Sequence, residues 1–172
     1  MKKPLFIVAV VFISIFMTKT ETAGESSDVE ARIKQAKQVL LGDSASREQI
    51  VQALTQLIDC AAMLSKKSKY DEEIKSTLDI AKNEFKNESL FSDKGRQKLS
   101  LVYRMLTNGQ KYQPPKELDE FITPQQAMEK ARQYAEKLVD QALKDYRAGN
   151  HLQTSQKLVE LVLMIVTPIS GS

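Results

Sequence analysis

The chain has 172 residues, with 25 Lys+Arg against 22 Asp+Glu, one histidine, one cysteine and no tryptophan. A single cysteine excludes an intramolecular disulfide and a zinc site with several thiolates, and a single histidine excludes a two-histidine metal centre within one chain. The near balance of charge excludes the broad basic face that a polyanion-binding protein needs.

Lys2 and Lys3 precede an almost unbroken apolar run from Leu5 to Met17, and Thr22-Ala23-Gly24 follows with small residues. A positive start, a short hydrophobic stretch and a small-residue exit make a secretory signal peptide. The run is shorter than the roughly 20 apolar residues that span a bilayer. Thr22 and Gly24 meet the small-residue rule at −3 and −1, so residues 1–24 are expected to be the signal and 25–172 the mature domain. No cysteine follows the run to carry a lipid. No stable membrane anchor is therefore expected after cleavage, an uncleaved N-terminal anchor being the alternative. The lysine-led start reads as a bacterial export signal, which places the protein in the periplasm or outside the cell. Without residues 1–24, 22 basic groups face 21 acidic ones. The one basic cluster, Lys66-Lys67-Ser68-Lys69, runs into Asp71-Glu72-Glu73 and reads as a solvated turn, so no nucleic-acid partner is expected.

The mature chain reads as helix almost throughout. Ser27-Asp28-Val29-Glu30 has the capping-box pattern and opens a first helix, which Gly42 is expected to close in the left-handed conformation. Ser46-Arg47-Glu48-Gln49 repeats the box for a second helix, with an apolar stripe through Ile50, Ala53, Leu54, Leu57, Ala61 and Leu64. A third helix carries Ile74, Leu78, Ala81 and Phe85. Ser92 can cap a fourth, with Leu99, Val102 and Leu106 on one face and Asn108-Gly109 at its end.

Residues 109–122 form the one irregular stretch, long for a connection between packed helices. Pro114-Pro115 forbids helix there. Thr123-Pro124-Gln125-Gln126 is the strongest start signal, with a capping hydroxyl and a proline at the first helical position. The fifth helix shows Ala127, Ala131, Leu138, Ala142 and Tyr146, and Gly149-Asn150 reverses the chain into a sixth. Leu158 to Val166 is apolar on nearly every side, which belongs in the middle of a bundle. Strand-like alternation is absent. The expected fold is all-α, a single compact antiparallel bundle of five or six helices, with segments 27–108 and 123–167 joined by the loop 109–122.

Chemistry is sparse in the sequence. His151 stands just inside a helix start without a carboxylate three or four residues on, and reads as a polar cap neighbour rather than a ligand. Cys60, in the apolar stretch Leu57 to Leu64, reads as a shielded structural thiol. Met63, Met105, Met128 and Met164 are scattered and read as core filling. No metal site, catalytic constellation or cofactor motif is present, and Asn87-Glu88-Ser89 is a formal glycosylation sequon that a bacterial host leaves unmodified. The expected function is that of an exported, non-enzymatic binding or protein-interaction module with a protein partner in the cell envelope. Its candidate binding residues lie in the loop: Tyr112, Pro114, Pro115, Leu118 and Phe121. The alternative for this loop is a lid folded back over the bundle. The alternatives for function are a small-ligand or haem-like bundle, with His151 and Cys60 as the positions to test, or an enzyme of unrecognised type.

Overall fold

The computed structural model describes residues 25–118 and 123–168. The expected signal peptide, Phe121 and Ile122 lie outside the described residues. Among these residues there are six α-helices: α1 (Glu25–Leu40), α2 (Arg47–Leu64), α3 (Asp71–Asn87), α4 (Asp93–Leu106), α5 (Pro124–Arg147) and α6 (His151–Val166). Short 3-10 turns lie at Ser65–Lys67 and Lys116–Leu118, and no strand occurs among the described residues. None of the described helices is long and apolar enough to cross a membrane. The chain divides into two compact units, Met1–Ala31 and Arg32–Ser172. The described part of the first is the beginning of α1, and the second holds the rest of α1 and every later helix.

Most of the boundary signals operate as their chemistry dictates. At α2 the Ser46 hydroxyl accepts from the Gln49 N–H at 3.2 Å while the Gln49 side chain accepts from the Ser46 N–H at 2.8 Å, a complete capping box. The Ser92 hydroxyl accepts from the Gly95 N–H at α4, and Thr123 accepts from the Gln126 N–H at α5, with Pro124 at the first turn. Asn108 and Gly109 both take positive φ at the end of α4, and Gly149 does so in the reversal between α5 and α6. Two expectations at α1 are corrected. The helix already includes Glu25, ahead of the Ser27 box, and Gly42 is not left-handed; its N–H instead closes a turn onto the Val39 carbonyl at 3.3 Å.

Helix α6 is the centre of the second unit, packing against α5, α2 and α4. Leu158, Val159, Leu161, Val162, Leu163 and Val166 are all buried on it. Each such side chain contributes about 1.5–3 kcal/mol when withdrawn fully from water. The α3 stripe of Ile74, Leu78, Ala81 and Phe85 is buried as the spacing predicts, and so are Ala127, Leu138, Ala142 and Tyr146 on α5. The methionines depart from expectation: Met128 is 66% exposed, and Met63, Met105 and Met164 are only partly covered.

One polar bond crosses the core. The last turn of α2 tightens, and the Ser65 N–H goes to the Ala62 carbonyl. Ala61, whose carbonyl is among the last four of the helix and lacks an assured helical donor, accepts at 2.8 Å from the buried Ser155 hydroxyl of α6. At the surface, Lys37 of α1 reaches Asp140 at 2.9 Å and Glu136 at 3.6 Å on α5.

Close approach of α4 to α3 depends on a glycine. A Cβ at Gly95 would lie 2.6 Å from Cε1 and 2.8 Å from Cζ of Phe85, a ring that is itself fully buried. Gly95→Ala gains about 1 kcal/mol of helix propensity but overpacks the core at a cost of about 1–3 kcal/mol. The expected result is a lower melting temperature by circular dichroism. A melt at or above that of the wild type would show that Phe85 yields at no cost.

Candidate functional site

The loop residues fall into two groups. After Gly109 the chain is irregular, and the Tyr112 ring meets Tyr103 of α4 edge-on, with centroids 5.8 Å apart and planes at 81°. Pro114 is exposed, whereas Pro115 is partly buried and its carbonyl accepts the Leu118 N–H at 2.9 Å. Leu118 is only 6% exposed, and its 3-10 turn packs on α5. Tyr112 and Leu118 thus turn inward over the bundle, and of the described candidates Pro114 alone stands out in solvent.

The other two test positions are apart from the loop and from each other. His151 opens α6, half-buried, with its imidazole stacked on Tyr146 at 5.5 Å and 20° between planes. Cys60 is wholly buried on α2 and forms no disulfide. Among the described residues no group of three or more His, Cys, Asp or Glu side chains is placed to hold a metal ion. The shallow grooves on the surface follow the outer faces of α5 and α4 and are lined by charged side chains such as Glu136, Lys137 and Arg96.

The most unusual chemistry lies beneath the loop, at a residue the sequence reading passed over. Glu160 sits in the apolar run of α6 between buried Val159 and Leu161, and is itself half-buried. Burial raises its pKa above the ordinary carboxylate value, opposed by the charge of Lys157 one turn earlier. Lys157 is itself ion-paired with Asp145 of α5. Three tyrosines from three elements lie within electrostatic reach of this carboxylate: Tyr103 from α4, Tyr112 from the loop and Tyr134 from α5. All three have raised pKa values, first from burial and then from the negative charge of Glu160. At Tyr103 a hydrogen bond from Gln156 works against the shift, and Glu117 adds to it at Tyr134. The Tyr112 hydroxyl is shut from solvent and has no hydrogen-bond partner. Such a group costs about 1–3 kcal/mol relative to a satisfied one.

The arrangement therefore offers a negative charge, neutral hydroxyls and aromatic rings in one partly open cluster. Its signal in the sequence was the lone carboxylate in Leu158-Val159-Glu160-Leu161-Val162. An acid in a run that is otherwise apolar on all sides is either covered or functional.

Two outcomes follow for solution measurements. Because the folded protein holds the Glu160 proton more tightly than the unfolded chain, its charge opposes folding above the folded-state pKa. That opposition is relieved as pH falls through the folded pKa and is gone below the unfolded value of about 4.3. Glu160→Gln should therefore melt higher than wild type at pH 7–8, and the difference should shrink to nothing below about pH 4. Asp71 and Glu84, whose pKa values are lowered by hydrogen-bonded Lys75 and Lys94, lose stabilisation over the same acid range in both proteins and cancel in the difference. A pH-independent difference in melting temperature would refute this assignment. Cys60, for its part, should label slowly with a thiol reagent in the native protein and fast in denaturant, and rapid native labelling would contradict its buried position.

No protein-family model, curated protein or solved structure gives a significant match to this chain.

Proposed function

We propose that this chain is an exported, non-enzymatic helical-bundle protein that works by binding a protein partner in the cell envelope. Export rests on the lysine-led apolar run and small-residue exit of residues 1–24. The observation that carries the binding reading is the group of Tyr103, Tyr112, Tyr134 and Glu160, where a half-buried carboxylate lies within electrostatic reach of an orphaned hydroxyl. Groups of this kind destabilise the free protein and are compensated when a complementary ligand arrives. The tyrosines stay protonated at neutral pH, so they offer hydrogen bonds and ring faces rather than proton transfer. The contact of α5 with α6, with Ala135 and Ala142 buried on α5, favours this reading over a bundle that holds a cofactor between those helices.

The test has two parts. Amino-terminal sequencing of the protein recovered from the cell envelope or medium should begin at Glu25, and retention of the full chain in the cytoplasm would end the export reading. Crosslinking in the envelope should then capture a partner with the wild type that is lost with Glu160→Gln. An identical set of captured proteins from both would overturn recognition at this cluster.

A further inference from the structure

Very little holds residues 110–118 against the helices. Their entry is pinned where the Gly109 N–H meets the Arg104 carbonyl at 2.8 Å, and the chain is next secured where Thr123 caps α5. In between, among the described residues, no backbone hydrogen bond ties residues 111–118 to a helix. Their one backbone bond, from the Leu118 N–H to the Pro115 carbonyl, stays within the stretch. Two side chains attach it: the Tyr112 ring against Tyr103 of α4, and Leu118, buried where its turn packs on α5. A segment with so few buried contacts opens at a small fraction of the cost of unfolding the whole. One of the two attachments is also compromised. The Tyr112 ring is seated with its hydroxyl shut from solvent and without a partner, and that hydroxyl regains water only when the ring leaves.

We infer that residues 110–118 are a strap that opens and closes while the helices stay folded, with the buried Tyr112 hydroxyl tilting the balance towards opening. The inference concerns the chain alone and stands apart from the binding function above. Pro114 and Pro115 lie between the two attachments and fix the backbone there, so the strap moves as a stiff piece and release of one end loosens the other. When closed, the strap covers the Tyr103 ring and the α5 surface beneath Leu118. That face meets another molecule only when the strap is open.

The experiment is a timed trypsin digestion of the native protein, with the cut bonds identified by mass spectrometry. Cleavage follows the population of the open state when opening and closing are fast. Lys111 and Lys116 are exposed on the strap, whereas Lys157 lies within the central helix α6 and reports unfolding of the bundle. The bonds after Lys111 and Lys116 should be cut well before the bond after Lys157. Tyr112→Phe keeps the ring and deletes the orphaned hydroxyl. It should slow cleavage after Lys116 about fivefold or more, the reverse of what losing a well-bonded hydroxyl does. Leu118→Ala releases the other attachment and should speed cleavage after Lys111 about tenfold or more. Each variant is read at the bond farther from its own substitution, so that the protease's preference for residues beside the cut does not enter. Wild-type cleavage after Lys111 and Lys116 that is no faster than after Lys157 would overturn the strap. Cleavage after Lys116 that Tyr112→Phe leaves unchanged or speeds up would overturn the part given to the hydroxyl, even if Leu118→Ala fails to fold.

Discussion

Helix α6 is apolar on nearly every side, and an element of that kind is stable in water only when other helices cover it. That requirement organises the second compact unit. Helix α5 covers one flank through a tight reversal at Gly149, while α2 and α4 cover others. The first of these contacts is local in sequence, and the others bring distant segments together. Helix α3 does not need α6 directly. It packs on α2 and on α4, where the Phe85 ring lies so close to Gly95 that an added Cβ would press on it.

Much of this was legible from residue types alone. Capping hydroxyls and the Thr-Pro start are short-range devices; they operate at α2, α4 and α5, with the reciprocal box complete at α2. The three-and-four spacing of Ile74, Leu78, Ala81 and Phe85 identified a buried face because a helix must turn such a stripe inward. What was not legible depends on distance in space. Gly95 carries no periodic signal, since its importance comes from a ring on another helix. Gly42 had the composition of a left-handed cap but closes its turn with an ordinary backbone, since a glycine is permitted that conformation and not obliged to adopt it. The methionines looked like core residues by hydrophobicity, yet Met128 lies near the start of α5 facing solvent.

The candidate site shows the same division. The loop attracted attention because it is long and aromatic, but its tyrosine and leucine point inward, and only an account of three dimensions joins Tyr112 to Tyr103, Tyr134 and Glu160. The four residues come from α4, the loop, α5 and α6, with no shared motif. Glu160 alone broke a local rule, as a carboxylate where the pattern calls for an apolar residue. Departures of this kind from otherwise consistent patterning are where function is most often found, since a fold accepts the loss of stability only where something else is gained.

An all-round apolar cylinder has little to define its azimuth. Leucine and valine side chains exchange for one another at modest cost when a core repacks at conserved volume, so the apolar contacts of Leu158 to Val166 alone hold that azimuth only loosely. The Ser155 hydroxyl fixes it from inside the core, as the Lys157–Asp145 ion pair does nearer the surface. It reaches the Ala61 carbonyl in one orientation of α6 and would be left buried without a partner in the others. Since Glu160 lies five residues further along the same helix, the bond that indexes the core also sets the compass direction of the carboxylate. Whatever meets Glu160 at the surface reads an angle that a buried serine helps to hold.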